Sequence, residues 1–185
     1  MAQLNIVYGT WYGDGEELHG NILGVFRDVK AAEDAMIKAA RESFDYYETP
    51  ADCRFCDYCD LVTPCDRASD RLYRIIDEGD YTTDLCIIHY HPEETFGEKA
   101  YVVWGTEDYD YCGEYYPIKK AVFSTASEAI AYATKIECDI LEKDNIPVAN
   151  RHAAFIPGEE DGRIFEIGDA ECLTSWITVE RRTIQ

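Results

Sequence analysis

Positive charge is scarce in this sequence. Its 185 residues include 17 Lys and Arg against 37 Asp and Glu, so the formal net charge is −20 at pH 7. Nucleic acids and anionic membranes are bound by clustered basic side chains, so this composition argues against such partners for the general surface. Hydrophobic residues make up 46% of the chain. That is enough to bury a core and excludes a disordered acidic tail.

Long apolar runs are missing as well. No segment approaches the roughly 20 apolar residues that a membrane-spanning helix needs. Residues 1–5 lack the basic and apolar regions of a secretory signal, so we expect no targeting segment. Four of the eight cysteines crowd into one short segment and the other four are scattered. This usage favours a reducing, cytoplasmic protein over a secreted disulfide framework.

The linear motifs of common enzymes are also absent. The sequence contains no Walker phosphate-binding loop, no Gly-x-Gly-x-x-Gly, no Gly-x-Ser-x-Gly and no His-Glu-x-x-His. Residues 108–113 begin like a calcium loop, but Lys119 stands where that loop needs glutamate. We therefore expect no enzyme. A small-molecule binder or enzyme with a pocket between two units stays an alternative, because distant residues can form an active site without a linear signature.

The most informative feature that is present is an internal repeat. Four segments of the first half recur in the same order in the second half, and the pairs are 5–10 with 101–106, 24–26 with 121–123, 71–75 with 163–167, and 82–85 with 174–177. Four ordered matches predict a duplicated unit of about 90 residues. The alternative is that a common strand-strand-helix pattern simply occurs twice.

Each half follows a hairpin, helix, hairpin pattern. Alternating or apolar runs predict strands over 4–11, 21–26, 72–76, 85–90, 99–106, 118–123, 164–167 and 176–181. Asp28 is a predicted helix N-cap, and Thr125-x-x-Glu128 is a predicted capping box. The predicted buried stripes are Ala32, Ala35, Met36, Ala39 and Ser43 in one helix, and Ala129, Ile130, Ala133, Ile136 and Ile140 in the other.

The predicted fold is α+β, with tandem pseudo-symmetric ββαββ units whose antiparallel sheets each carry one packed helix. The first unit covers residues 1–95 and includes a cysteine-rich loop at 48–70, and the second covers 96–185. A single helix leaves one face of a small sheet bare. We therefore expect the units either to pack against each other or to share one sheet.

Both halves are equally acidic. Residues 1–92 and 93–185 each carry a net charge of −10. The acids gather at predicted hairpin tips, among tyrosines that offer a rigid apolar ring and a hydroxyl. The predicted partner-binding residues are Asp14, Glu16, Glu17, Glu107, Asp108, Tyr109, Asp110, Tyr111, Glu114 and Tyr115. Carboxylates held in a row can imitate duplex DNA, which carries one charge per about 1.7 Å. The alternative is acidity that only solubilises the chain or suits a halophile.

The acidic hairpin-then-helix opening resembles, in physical type, the antirestriction DNA mimics of phages and plasmids. The resemblance is one of charge and not of motif, so no residue role is carried over. It implies a non-enzymatic protein of a mobile element. Such a protein would occupy the basic nucleic-acid-binding surface of a target, for example a restriction or CRISPR effector, and inhibit it.

A second feature is a cluster of thiols. Cys53, Cys56, Cys59 and Cys65 lie within 13 residues, and Cys-x2-Cys steps are typical of structural zinc. These four cysteines are the predicted zinc ligands. Free or redox thiols and an iron–sulfur cluster are alternatives. His89 and His91 could join two of the cysteines, although polar residues at a strand end are the simpler interpretation. A zinc-stapled interaction adaptor is thus the alternative function.

Overall fold

The structure, a computed structural model, describes residues 3–12, 18–46, 59–62, 71–76, 82–106, 115–143, 151–157, 161–169 and 176–185. The chain divides into two compact units. One comprises Met1–Pro92 together with Gln185, and the other comprises Glu93–Ile184. Each unit is described below by itself.

The first unit contains a five-stranded sheet and one helix. Its elements are β1 (Leu4–Tyr12), β2 (Leu18–Phe26), α1 (Val29–Tyr46), β3 (Cys59–Val62), β4 (Arg71–Ile76) and β5 (Thr82–Tyr90). The strand order across the sheet is β2-β1-β5-β4-β3, and all neighbours are antiparallel. Strands β1, β5 and β4 therefore lie inside the sheet, with β2 and β3 at its edges.

The helix of the first unit packs on its sheet through small side chains. Ala32, Met36 and Ala40 are spaced four residues apart and are fully buried. They pack against Val7 and Ile87 of β1 and β5. The predicted positions Ala35 and Ala39 lie half-buried beside this core. The side chain of Ser43 is outside the described residues. Spacing of four residues aligns side chains on one helix face. The helix therefore has a buried stripe as predicted, and this stripe also contains Ala40.

The predicted N-cap of α1 is confirmed. The helix begins at Val29, and the carboxylate of Asp28 accepts a hydrogen bond from the backbone N–H of Lys30 at 3.1 Å. This contact satisfies one of the four N–H groups that a helix start leaves without an intrahelical acceptor.

The second unit also contains a five-stranded sheet and one helix. Its elements are β6 (Lys99–Thr106), β7 (Tyr115–Phe123), α2 (Ala126–Lys143), β8 (Arg151–Phe155), β9 (Gly162–Asp169) and β10 (Trp176–Thr183). The strand order is β7-β6-β10-β9-β8, and all neighbours are antiparallel. Strands β6, β10 and β9 lie inside this sheet, with β7 and β8 at its edges.

The core of the second unit lies between α2 and one face of its sheet. Ala129 and Ala133 are fully buried there, and they pack against Val103, Ile177 and Val179. The predicted stripe residues Ile130, Ile136 and Ile140 are partly buried against the same core.

A glutamate completes the buried row of α2. Glu137 lies four residues after Ala133 and is fully buried. A carboxylate at such a position is costly unless it has polar contacts, and Glu137 takes part in contacts within the protein. The sequence pattern did not single out this residue, because acids are normally placed on the surface.

The predicted N-cap of α2 is confirmed, which is one half of the predicted capping box. Thr125 Oγ1 accepts a hydrogen bond from the N–H of Glu128 at 3.4 Å. The hydroxyl of Thr125 also donates to the Glu128 carboxylate at 2.6 Å. The side chains at the first and fourth positions of the motif thus contact each other directly at the helix start.

The predicted α+β class is confirmed, with corrections to its detail. The described strands form two separate sheets, so the alternative of one shared sheet is wrong. Each sheet also has a fifth strand, β3 or β8, that the ββαββ pattern omits. Several strands are longer than predicted, since β2, β5 and β7 begin three residues earlier.

Both faces of each sheet carry buried side chains. Leu4 and Ile6 of β1 and Val102 and Trp104 of β6 are buried, and none of them belongs to the core beneath a helix. Within the described ranges, neither helix is long and apolar enough to cross a membrane.

Candidate acidic binding surface

The predicted partner-binding residues fall almost entirely outside the described part of the chain. Residues 14–17 and 107–114 are not described, and Tyr115 is described only as the first backbone position of β7. The strands that lead into and out of these segments are described, and they fix where each segment is attached.

In the first sheet, two acidic segments are attached at the same end. Tyr12 pairs with Leu18, so segment 13–17 starts and finishes there. Ile76 pairs with Thr82, so segment 77–81 does the same. Because Trp11 of β1 pairs with Thr83 of β5, both closing pairs belong to one end of the sheet. Six acidic residues lie in these two segments, namely Asp14, Glu16, Glu17, Asp77, Glu78 and Asp80.

The second sheet has a corresponding acidic end. Thr106 pairs with Tyr115, so segment 107–114 with its four acids is attached there. Ile177 of β10 pairs with Gly105, next to this closing pair. Segment 170–175, which leads into β10 and contains Glu171, is therefore attached at the same end of the sheet.

The net charge is unevenly divided between the strands and helices and the rest of the chain. The described strands and helices contain 13 acidic and 14 basic side chains, a net of +1. The rest of the chain contains 24 acidic and 3 basic side chains, a net of −21. The strands and helices are thus close to neutral, and the excess negative charge lies between them in the sequence.

Part of the acidity of the framework is used in local contacts. Lys30 lies 3.1 Å from Asp34 and Lys38 lies 3.6 Å from Glu42, both one helical turn apart. Such exposed pairs contribute little to stability, but they neutralise charge locally. These carboxylates are therefore poor candidates for attracting a basic partner.

Two further acids join distant parts of the second unit. The carboxylate of Glu94 accepts hydrogen bonds from the hydroxyl of Ser124 at 2.6 Å and from its N–H at 3.3 Å. Asp161 Oδ1 accepts from the N–H of Thr183 at 2.7 Å and from its hydroxyl at 2.9 Å. Both carboxylates therefore have structural contacts within the unit.

A buried group of polar contacts in the second unit is centred on Glu180, which is only 3% exposed. Its Oε1 accepts a hydrogen bond from Trp104 Nε1 at 2.8 Å. Its Oε2 accepts from Arg182 Nε at 2.9 Å and also forms an ion pair with that guanidinium. Both oxygens are therefore occupied within the sheet, and Glu180 holds strands β6 and β10 together rather than facing a ligand.

Polar side chains surround Nδ1 of His89. Asn5 Nδ2 donates to the carbonyls of Phe26 and Arg27 at 3.2 and 3.3 Å, so Asn5 Oδ1 faces His89. His89 Nδ1 lies 2.7 Å from that oxygen and 2.9 Å from Gln3 Nε2, which also donates to Asn5 Oδ1 at 2.9 Å. Both contacts of His89 use Nδ1 and favour a structural role for this residue over metal binding through that atom.

The predicted zinc ligands are described only in part. Cys53, Cys56 and Cys65 lie outside the described residues, and Cys59 is the first residue of β3. His91, the other histidine considered as a ligand, is exposed. Within the described ranges, no group of three or more His, Cys, Asp or Glu side chains could hold a metal ion.

The strand β3 constrains any site that contains all four cysteines. Val62 lies three residues after Cys59, about 10 Å along an extended strand. Cys65 follows Val62 by three more residues. For Cys65 and Cys59 to bind the same zinc ion, residues 63–65 would have to fold back along β3.

Among the scattered cysteines, Cys138 has a described side chain with a clear contact. Cys138 on α2 is a free thiol, and Arg151 Nη1 lies 3.0 Å from its Sγ. This contact joins the helix to the first residue of β8. It identifies Cys138 as a packing residue of the second unit.

In comparisons with known proteins, no family model, no curated protein and no solved structure matches this chain.

Proposed function

We propose that this protein is a non-enzymatic inhibitor that occupies the basic nucleic-acid-binding surface of a target protein, such as a restriction or CRISPR effector. The observation that carries the proposal is the charge division, with −21 in the segments that connect the strands and helices and +1 in the strands and helices themselves. Electrostatic complementarity of this kind accelerates association and selects basic partners.

The density of acids at a sheet end supports imitation of DNA. The strands β2, β1, β5 and β4 are neighbours, and at about 4.8 Å per strand they cover about 19 Å. The two segments attached at their common end contain six carboxylates. That corresponds to one charge per about 3 Å, within a factor of two of the roughly 1.7 Å of duplex DNA. Tyrosines at 109, 111 and 115 supply apolar contacts on the other unit.

We also propose that the two units arose by duplication. Val7 pairs with Ile87 in the first sheet, and Val103 pairs with Val179 in the second. These residues correspond under the sequence offsets of 96 and 92 at which the halves match. The two strand orders also correspond, and both helices contain 18 residues. Duplication would explain why both halves carry the same net charge.

The test is a comparison of two triple variants. One changes Glu107, Asp108 and Asp110 to lysine, and the matched control changes three exposed acids outside the hairpin tips, Glu98, Asp139 and Glu142, to lysine. Each variant moves the formal net charge from −20 to −14. We expect only the first to lose the ability to displace a fluorescent DNA duplex from a panel of purified nucleic-acid-binding nucleases.

Salt gives an independent measure of the same interaction. Inhibition by the wild type should weaken as sodium chloride rises, because screening shortens the range of the attraction. Equal loss in both triple variants would mean that only net charge matters. Undiminished inhibition by the 107/108/110 variant at physiological salt would disprove imitation of DNA by this tip.

The cysteine segment supports a second candidate function, a zinc-stapled adaptor in a reducing cytoplasm. Four thiols within 13 residues could bind zinc and order the segment around β3. Elemental analysis of the purified protein should then give one zinc per chain. The double variant Cys53→Ser/Cys56→Ser should lose it, and Cys65→Ser tests whether residues 63–65 return along β3. Absence of bound zinc in the wild type would remove this candidate.

A further inference from the structure

The outer edge of β8 presents a row of backbone hydrogen-bonding groups. The N–H of Ile156 donates to the carbonyl of Ile164 on β9 at 2.9 Å. Hydrogen-bonded residues alternate along an antiparallel strand, so Ala154 also directs its N–H and C=O toward β9. Arg151, Ala153 and Phe155 therefore direct theirs away from the sheet. An edge of this kind can accept a further strand.

An exposed apolar side chain lies on the same edge. Phe155 is 74% exposed, and it is the only large hydrophobic side chain among the described residues with such exposure. One face of its ring contacts Phe165, with ring centroids 5.1 Å apart. Single exposed hydrophobic residues are common. The distinctive feature here is that Phe155 lies beside outward-facing backbone groups of its own strand.

The other sheet edges differ from β8. The backbone of Val25 and Arg27, at the end of β2, hydrogen-bonds to Gln185. Strand β7 contains Pro117, Lys119 and Lys120, the residue types that discourage pairing at edges. Strand β3 has only four residues. Among the described strands, β8 combines an accessible edge with an exposed aromatic ring and contains no carboxylate.

We propose that β8 pairs antiparallel with β8 of a second copy of this chain. A two-fold axis through Ala153 places Ala153 opposite its own counterpart. It also places Phe155 opposite the partner subunit's Arg151. The three residues whose backbone groups point outward then lie opposite residues of the partner whose backbone groups also point outward. Each opposed pair can therefore exchange two backbone hydrogen bonds.

The side chains fit this register. Opposed residues on one face of an antiparallel pair have Cβ atoms about 5 Å apart. The aliphatic stem of Arg151 would therefore lie beside the partner's Phe155 and cover part of its exposed ring, while the guanidinium keeps its contact with Cys138. The small Ala153 side chain at the axis causes no clash.

Charge and size set the strength of the association. Each copy carries −20, so long-range repulsion opposes pairing at low ionic strength. A five-residue edge buries less surface than a permanent dimer requires. The dimer should therefore be weak, dependent on protein concentration and favoured by added salt. A basic partner would show the opposite dependence on salt, which separates this inference from the proposed function.

The test is sedimentation velocity on the full chain over a range of protein concentrations in low and in moderate sodium chloride. We expect the mass to rise from 21.1 kDa toward twice that value as concentration and salt increase. Phe155→Glu should abolish the rise. The matched control Ala131→Glu, at an exposed position of α2, makes the same change in net charge and should leave it intact.

A backbone variant and a residue-level measurement complete the test. Ala153→Pro removes an outward N–H and should also prevent association, with the fold checked by circular dichroism. In hydrogen exchange, the amides of Arg151, Ala153 and Phe155 should gain protection with concentration, whereas those of His152 and Ala154 should not change. A chain that stays monomeric, or a dimer unaffected by Phe155→Glu, overturns the proposal. The monomeric result would point to an extended segment of another protein on β8.

Discussion

At the scale of single residues, Glu180 carries the buried polar contacts of the second unit. Its carboxylate accepts hydrogen bonds from both Trp104 and Arg182. Glu180→Ala removes the acceptor for both groups in a buried site, and we expect the free energy of unfolding to fall by about 3 kcal/mol. Glu180→Gln keeps an oxygen for Trp104 and should cost less. Urea denaturation followed by tryptophan fluorescence measures both.

A more exposed pair supplies the control for this prediction. Glu166 forms an ion pair with Arg163 at 3.2 Å, and their side chains are 17% and 43% exposed. Glu166→Ala should lower the free energy of unfolding by about 1 kcal/mol or less. If Glu180→Ala costs no more than Glu166→Ala, the buried network does not stabilise the unit.

Gly105 is a residue whose lack of a side chain is required. A Cβ built at this position would overlap the carbonyl oxygen of Trp176 on β10. Since that atom belongs to the backbone, the clash can be relieved only by moving a strand. We expect Gly105→Ala to lower the free energy of unfolding by about 1–3 kcal/mol in thermal denaturation.

Gly97 provides the matched comparison. Apart from Gly97 itself and its two chain neighbours, no atom lies within 4 Å of the Cβ position there. Gly97→Ala should therefore change the free energy of unfolding by no more than about 0.5 kcal/mol. If Gly105→Ala and Gly97→Ala change the free energy of unfolding equally, the backbone effect of replacing glycine by alanine determines the result, and the close approach of β10 does not.

Sequence reasoning at this scale succeeded where a residue acts through its neighbours in the chain. Asp28 and Thr125 were predicted as helix caps, and both make the expected contact. The buried acids Glu137 and Glu180 were not singled out. Glu180 is bonded by Trp104 of a strand distant in the sequence, and nothing in the local pattern distinguishes either acid from a surface acid.

At the scale of elements, the start of α2 is a defined source of stability. Thr125 Oγ1 accepts the N–H of Glu128, so Thr125→Ala leaves that donor without its acceptor. We expect a loss of about 1 kcal/mol in the free energy of unfolding, measured by denaturation followed with far-ultraviolet circular dichroism. Thr125→Asp retains an acceptor at the N-cap and should restore most of the loss. A variant with aspartate as unstable as the alanine variant would contradict a capping role.

Two strands were missed for reasons specific to edges. In β8 the side chains of His152, Ala153 and Phe155 are exposed, so the strand lacks the alternation that identifies a half-buried strand. Its pairing with β9 holds it in place through the backbone. Strand β3 has four residues inside the segment interpreted as a cysteine loop. Interior strands such as β6, by contrast, were predicted to the residue from their apolar content.

At the scale of the whole molecule, the sequence predicted the class of fold but not the location of a site. Composition established the net charge, and hydrophobic periodicity established both helices and eight strands. The grouping of acidic segments at one end of a sheet depends on strand register, which links Trp11 with Thr83 and Ile177 with Gly105. Register is set by pairing between distant strands, so local patterns alone could not supply it.

The net charge should also govern the stability of the whole molecule. Self-repulsion among 20 uncompensated charges destabilises the compact state, and screening relieves it as the Debye length falls from about 30 Å at 0.01 M salt to about 3 Å at 1 M. We expect the melting temperature to rise by at least about 2–4 °C between these limits, the shift that about 1 kcal/mol produces in a chain of this size.

The variant in which Glu107, Asp108 and Asp110 are changed to lysine makes this prediction specific. With a formal charge of −14, it should melt at a higher temperature than the wild type in 0.01 M sodium chloride, and the difference should shrink as salt is added. The increase for the wild type should level off by about 0.5 M, where screening is nearly complete. A melting temperature that keeps rising at several molar salt would instead indicate halophilic adaptation. Repulsion at the proposed binding tips would then no longer explain the acidity.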